Sequence, residues 1–198
     1  MAANTYLTPE ERTALESAHV GIAGAGGLGS NCAMHLVRAG VKHITIADFD
    51  VVNESNLNRQ FFFRDQIGQK KVEAIKENLL RIEPDADIRA VDMRLDASSA
   101  REIFADCGIV VEAFDAVDAK VMLVSAFASS GKKLVTASGL AGWGRSNAMK
   151  VRKMGNIVVV GDGETAVGAN AAPASPRVGI AAAMQANSVV AMLLGEEL

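Results

Sequence analysis

Residues 19–29, HVGIAGAGGLG, decide the fold. His19 to Gly24 is a short, mostly apolar run, the length of a buried strand and too short for a helix. Gly24-Ala25-Gly26-Gly27-Leu28-Gly29 follows at once and matches G-x-G-x-x-G. Leu28, Cys32 and Leu36 then recur every four residues, one apolar face of a helix that ends near Gly40. Strand, glycine turn and helix in that order open a nucleotide-binding sheet. The glycines let the backbone turn tightly and approach a phosphate. The helix N-terminus adds unpaired N–H groups and the positive end of its dipole.

Working outward, strands and helices alternate. HITIAD, residues 43–48, reads as a second strand, and Asp48 ends it 19 residues after Gly29. A carboxylate there can accept both ribose hydroxyls of an adenosine. Residues 87–93, 108–113 and 133–139 read as three further strands. Thr8-Pro9-Glu10-Glu11 starts a helix over 8–17, with Thr8 as cap and Glu11 closing a capping box. A helix resumes at Gly68 with Val72, Ile75, Leu79 and Ile82 on one face and stops before Pro84. Another covers 98–106. A third runs to about Ser130 with Val117, Val121, Val124 and Ala128 inward. Ser146–Met154 and Asn156–Val160 flank Gly155 as an antiparallel hairpin. Residues 161–176 read as a mobile loop, and a last helix spans Pro176 to Leu194. The expected fold class is α/β: a doubly wound, mostly parallel Rossmann-like sheet with helices on both faces and a C-terminal antiparallel hairpin extending one edge. The expected organisation is a single nucleotide-binding domain over 1–198. It comprises a short helix at 8–17, a core at 19–140, and the hairpin, loop and closing helix at 141–198.

Composition removes other classes. The 198 residues carry 23 acidic and 20 basic side chains, a net charge of −3. That balance shows no basic footprint, so no nucleic-acid partner is expected. Two cysteines, Cys32 and Cys107, cannot build a disulfide framework or a four-thiolate zinc site. MAANTYLTPEERTALES lacks the basic start and apolar run of a secretory leader. The apolar window Ala181–Leu194 contains Gln185, Asn187 and Ser188 and is short for a bilayer, so no membrane partner is expected. Cytoplasmic residence is the expectation.

The glycine turn alone specifies an adenosine nucleotide. It does not separate a dinucleotide for hydride transfer from ATP for adenylation. The segment Asp48-Phe49-Asp50-Val51-Val52-Asn53-Glu54-Ser55-Asn56-Leu57-Asn58-Arg59-Gln60, followed by Gly68-Gln69-Lys70-Lys71, separates them. It is long for a strand-to-helix loop, and such loops are usually functional or disordered. With G-A-G-G-L-G before it and Asp115 ending the fourth strand, the sequence resembles the ThiF/MoeB/HesA adenylyltransferase family, which includes the ubiquitin-activating enzymes. The resemblance covers residues 19–140 and rests most on S-N-L-N-R-Q beside G-A-G-G-L-G.

The resemblance implies ATP and Mg2+ as cofactors. It places the nucleotide on Gly24, Gly26, Gly27, Leu28 and Gly29, with Asp48 on the ribose and Asp50 and Gln60 lining the site. It places Asn56, Arg59 and Lys71 on the phosphates, and Asp115 on magnesium. Arg59, Lys71 and Asp115 are the expected catalytic residues. Attack of a carboxylate on a phosphate needs such groups, because negative charge spreads over phosphoryl oxygens in the transition state. A guanidinium meets those oxygens bidentately and a lysine as a point charge.

The chain departs from the family in four places. Ala116 stands where the family commonly has Asn, and Asp118 lies close enough to share a metal. No C-x-x-C pair exists, so no zinc is expected. The leader is too short for the R-Y-x-R-Q stretch of larger members, and Arg12 is not its equivalent. Residues 133–177 contain no cysteine to carry a thioester or persulfide. Cys32 and Cys107 read as core residues, and His19, His35 and His43 as structural. Trp143 reads either as a cover over the groove where a partner's tail enters or as a turn anchor. Residues 158–163 (VVVGDG), Pro176-Arg177-Val178-Gly179-Ile180 and Gln185-Ala186-Asn187 are similar to a short ThiF-like branch associated with thiamine biosynthesis.

The resemblance therefore implies an enzyme that activates the C-terminal glycine carboxylate of a ThiS-type sulfur carrier as acyl-AMP. The hairpin and the 161–176 loop are candidates for holding the carrier, and a homodimer is implied. The alternatives are HesA-like or tRNA threonylcarbamoyladenosine dehydratase-like activation of another carboxylate, a non-catalytic nucleotide-binding module, and a nicotinamide-dependent dehydrogenase.

Overall fold

The structure, a computed structural model, describes residues 6–128, 130–166, 168 and 171–198. Its strands are β1 (His19–Ala23), β2 (His43–Asp48), β3 (Asp87–Asp92), β4 (Ile109–Glu112), β5 (Lys133–Ala137), β6 (Lys150–Met154) and β7 (Ile157–Gly161). Its helices are α1 (Pro9–Glu16), α2 (Gly27–Ala39), α3 (Lys71–Leu80), α4 (Ala97–Ile103), α5 (Val117–Phe127) and α6 (Ser175–Leu194). The strands form one sheet in the order β3-β2-β1-β4-β5-β7-β6. All pairings are parallel except β6 with β7. The chain winds outward from β1 to β3, returns beside β1 with β4, and winds the other way. The switch point lies between β1 and β4, and the glycine turn leaves β1 there. The doubly wound sheet with its antiparallel extension is the fold expected from the sequence.

Two cores cover the two faces. On one, Leu15, Cys32, Leu36, Ile75, Leu79 and Val189 pack from α1, α2, α3 and α6 onto the sheet. On the other, Ile103, Phe104, Leu123 and Phe127 pack from α4 and α5. α1 begins as its sequence requires. Glu11 N–H donates to Thr8 Oγ1 at 3.2 Å, and Thr8 N–H donates to Glu11 Oε2 at 2.7 Å. Both cysteines are buried, and His19 stacks on His43 at 4.5 Å between ring centroids, at the end of the sheet opposite the glycine turn. α6 is, among the described residues, the one helix long and apolar enough to cross a membrane by length and composition. It spans the expected Pro176–Leu194 with one more residue at its start, and it packs on α2 and the sheet as a core helix.

Several local expectations are corrected. α5 turns the other way: Val117 and Val121 are 71% and 59% exposed and Ala128 is exposed, while Leu123, Ala126 and Phe127 are buried. The helix is apolar nearly all round, so its periodicity does not choose a face. The helix after Gly68 starts three residues later, at Lys71, because Gly68 takes a left-handed turn. Residues 146–148 form a single helical turn, and the first hairpin strand begins only at Lys150.

The described part of the 161–176 segment is tied down. Residues 167, 169 and 170 lie outside the described residues. Asp162, at the end of β7, is buried against Arg177 in the first turn of α6. Asp162 Oδ1 also accepts the N–H groups of Glu164 and Thr165 at 2.8 and 2.9 Å, and its Oδ2 accepts the Thr165 hydroxyl at 2.8 Å. Arg177 Nη1 donates to Gly144 O at 2.7 Å. One ion pair thus joins the segment after β5, the end of β7 and the start of α6.

Burial alone would raise the Asp162 pKa. The N–H groups of Thr165 and Glu164, the Thr165 hydroxyl and the Arg177 charge outweigh it and hold the carboxyl at about 2. The carboxylate therefore stabilises the fold fully above the unfolded value near ~4 and loses that contribution as pH falls towards 2. Asp162→Ala leaves Arg177 buried and unpaired and should cost about 3–5 kcal/mol in urea unfolding at pH 7. The difference between wild type and variant should shrink as the unfolding is repeated at falling pH.

Candidate active site

The site grows from the end of β2. Asp48 Oδ2 accepts the Ala25 N–H at 2.6 Å, and Oδ1 accepts the Asp50 N–H at 2.8 Å. The first bond holds the glycine turn, and the second aims the chain that leaves β2. Gly24 has φ +102°, and a Cβ there would sit 2.9 Å from Ala113 O beyond β4. A Cβ on Gly29 would lie 1.8 Å from Gly24 O. The turn closes only with glycine at both ends. Near Gly26 the nearest heavy atom to an added Cβ is Gln60 Nε2, at 3.9 Å.

Residues 49–70 fold back over this turn. Val52 N–H donates to Gln69 O, Gly68 N–H to Val52 O, and Val51 bridges Lys70. Single helical turns form at Glu54–Asn56 and Arg64–Gln66. Ser30 and Asn31, in the first turn of α2, fasten the loop. Ser30 Oγ accepts the Phe61 N–H at 3.0 Å, and Asn31 Nδ2 donates to Arg59 O at 2.8 Å. Gln66 and Asn78 exchange side-chain hydrogen bonds beneath it. Two residues outside the expected site, Ser30 and Asn31, therefore set where Arg59 and Gln60 lie. Their position one helical turn past the glycines is the only sequence signal for this.

The expected phosphate groups sit as follows. Arg59 runs its aliphatic stem past Gly27, within 3.4 Å of where a Cβ would be, and its Nη1 donates to Ser55 O and Asn58 Oδ1. Gln60 is buried, and its Oε1 has no hydrogen-bond partner. Asn56 accepts the Asn53 N–H, which makes it a cap of its own turn. Lys71 is the first residue of α3, with a side chain only 7% exposed, and its Nζ pairs with Asp50 Oδ2 at 2.8 Å. Lys70, its neighbour, turns away to Asp92. The structure thus brings Gly24, Gly26, Gly27, Leu28, Gly29, Asp48, Asp50, Arg59, Gln60 and Lys71 into one continuous cluster.

Asp115 stands across the switch point, three residues past β4. It is exposed, and no hydrogen bond or ion pair holds it among the described residues. Asp118 is exposed on the first turn of α5. Beneath them Glu112 is fully buried and wholly satisfied. It accepts the Phe114 N–H at 2.7 Å, pairs with Lys120 at 2.8 Å, and takes the Thr136 hydroxyl. This network fixes the turn that carries Asp115. A charged residue inside the apolar run GIVVEA was its sequence signal.

The cluster suits a nucleoside triphosphate. The glycine turn leads into a helix N-terminus, the Arg59 stem passes Gly27 and the Gln60 amide nitrogen lies nearest Gly26, while Lys71 joins them through Asp50 and Asp48. One free carboxylate is enough for magnesium, which keeps several waters and takes its other ligands from substrate phosphates. Among the described residues no group of three or more His, Cys, Asp or Glu side chains could hold a metal.

This is the architecture of a nucleotide-binding enzyme of the doubly wound class. The ThiF family model matches residues 2–198, and the chain belongs to the ThiF family. It is 33% identical over 199 residues to the molybdopterin-synthase adenylyltransferase of Escherichia coli, covering 92% of this chain and 75% of that one. It is 37% identical over 127 residues to an adenylyltransferase and sulfurtransferase of Eremothecium gossypii, covering 64% of this chain and 29% of that one. The chain matches less than half the length of several such relatives. The E. coli tRNA N6-threonylcarbamoyladenosine dehydratase, solved with ATP, shares the fold with a TM-score of 0.86 at 22% identity, covering 94% of this chain and 90% of that one.

Gly29→Ala tests the turn. The added Cβ meets backbone, which cannot yield, so the turn must open and ATP affinity should fall by at least ~10-fold in calorimetric titration. Unchanged ATP affinity would show that the nucleotide binds elsewhere.

Proposed function

We propose that the protein is an ATP-dependent adenylyltransferase that activates the C-terminal carboxylate of a ubiquitin-like sulfur carrier of the ThiS type, in thiazole formation for thiamine. The observation that carries the reading is the cation-bearing loop. Arg59 and Gln60 are fastened beside the glycine turn by Ser30 and Asn31, and Lys71 is paired to Asp50, whose N–H is held by the same Asp48 that holds the turn. A hydride-transfer site has no use for two cations there. The relatives' names support adenylyl transfer, and they bear on molybdopterin synthesis as well as sulfur transfer. A molybdopterin-type carrier is therefore the competing substrate.

In this reading Asp48 takes the ribose hydroxyls through lone pairs that its two N–H bonds leave free. The glycine turn and the α2 N-terminus hold the phosphates. The carrier's terminal carboxylate oxygen forms a bond to the α-phosphorus, the bond to the pyrophosphate oxygen breaks, and acyl-AMP and pyrophosphate result. Arg59 and Lys71 stabilise the charge that gathers on the phosphoryl oxygens. Magnesium held by Asp115 would neutralise phosphate charge. The family's homodimer is part of the proposal.

The chemistry ends at the acyl-adenylate. Burial pushes the Cys32 thiol up to about 12 and raises Cys107 as well. Neither thiol is a nucleophile at neutral pH, so sulfur must come from a group outside residues 1–198. Both should resist a thiol reagent such as dithionitrobenzoate until the protein is unfolded. Rapid labelling of the native protein would reopen the question.

Carrier-dependent ATP–pyrophosphate exchange tests the reaction, with ThiS-type and molybdopterin-type carriers run side by side. The ThiS-type carrier should gain the mass of one AMP. Arg59→Ala and Lys71→Ala should each lower exchange by about 10²-fold or more, as loss of one transition-state donor does. Asp48→Ala should raise the KM for ATP more than it lowers kcat. No exchange with either carrier, despite ATP binding, favours a non-catalytic module or a different carboxylate substrate.

A further inference from the structure

β6 is one of the two edges of the sheet, and all five of its residues are exposed, unlike those of β3 at the other edge. Natural edges this open are rare, because unpaired N–H and C=O groups recruit other strands. The turn at Gly155-Asn156 shows which groups are free. Gly155 has φ +62° and Met154 faces Ile157 across two residues, so the pair flanking the turn is hydrogen-bonded. Bonding alternates from there, and Arg152 and Lys150 also bond to β7. Val151 and Lys153 therefore point their backbone groups outward.

The charge of this edge is unlike that of the rest of the chain. Between Asp118 and Asp162 lie seven lysines and arginines and no acid, although the chain is net −3. Lys120, Arg145 and Arg152 are engaged by Glu112, Glu164 and the backbone of Gly161 and Asp162. Lys132 and Lys133 bond to backbone carbonyls. Among the described residues Lys150 and Lys153 take no ion-pair partner. Val151 and Met154 add apolar surface, 38% and 59% exposed.

We propose that β6 is the docking edge for the ubiquitin-like carrier, which adds an acid-flanked strand to the sheet through the outward backbone groups of Val151 and Lys153. Two copies of this edge would repel each other, so the basic strand disfavours self-pairing and selects an acidic partner. The geometry suits a threaded tail. Lys150 pairs with Gly161 at the end of the sheet that bears the glycine turn. From β6 to β1 are four strand spacings, about 19 Å, which roughly six extended residues span. The identity of the partner rests on the adenylyltransferase reading; the edge, its charge and its free backbone groups do not.

The test measures carrier affinity by fluorescence anisotropy and carrier KM by pyrophosphate exchange, using a ThiS-type carrier ending in Gly-Gly. Lys150→Glu with Lys153→Glu should raise Kd and KM for the carrier by at least about 10-fold and leave the KM for ATP unchanged. Added salt should weaken wild-type binding far more than that of the double variant. Val151→Pro removes one outward N–H while sparing the β7 ladder, and should weaken carrier binding as strongly. Val151→Thr keeps the N–H and should bind as wild type does. Carrier affinity unchanged in the charge-reversed protein overturns the proposal, and so does wild-type protein that binds no carrier. Carrier binding that falls with these variants but yields no exchange upholds the docking edge and overturns the adenylyltransferase reading. The charge reversals lie on a fully exposed strand, so they decide the matter even if Val151→Pro fails to fold.

Discussion

The carboxylate of Asp48 is the point from which the site is built. One oxygen holds the glycine turn through Ala25, and the other holds the outgoing chain through Asp50. Asp50 in turn fixes Lys71 twice, by its side chain and by accepting the Lys71 N–H. The turn proposed to cradle phosphate and the lysine proposed to act on it thus share one anchor. Remove the anchor and the two lose their common register, although neither touches the other. Charge-assisted bonds to backbone N–H groups are among the stronger ones a surface carboxylate can make. That strength matters because the turn contains four glycines, which carry the largest backbone entropy to be overcome.

The C-terminal third reaches the same place by another route. The Asp162–Arg177 pair is buried and ties α6 to the end of β7 and to Gly144. The next residue, Val178, lies 2.9 Å from where a Cβ on Gly27 would be. α6 therefore presses directly on the start of α2. Any side chain at Gly27 would push α6 away and strain the ion pair behind it. The glycine at this position serves helix packing, while Gly24 and Gly29 serve the turn.

Most of the fold was legible because its strands are short apolar runs and its helices carry one apolar stripe. β1, β2 and the capped α1 are local features, and local rules place them. α5 was misread because apolar residues on both of its faces make the period ambiguous, and only the sheet selects Leu123 and Phe127 over Val117 and Val121. The cluster around the glycine turn was legible in its glycines and Asp48, which follow from strand, turn and strand end, and in Arg59 and Lys71 through the family resemblance. The fasteners Ser30 and Asn31, the buried Glu112 with Lys120, and the Asp162–Arg177 pair were not. Each depends on residues from 8 to 31 positions apart meeting in space. No periodicity encodes such meetings.

The two cations differ in what they give up to reach a phosphate. Arg59 is held by Ser55 O and Asn58 Oδ1, both neutral acceptors. Charge-assisted bonds are roughly twice as strong as neutral ones, so moving from these partners to a phosphate oxygen is downhill. Lys71 already has a carboxylate partner and little contact with water. Trading Asp50 for a phosphate exchanges one anion for another, at little net gain. Lys71 therefore adds less to nucleotide affinity than its charge suggests. It is desolvated and held in place by Asp50, and a fixed, desolvated charge is the kind that acts most strongly on a transition state. In the proposed adenylyl transfer, binding then falls mainly to Arg59 and the glycine turn, and preorganisation mainly to Lys71.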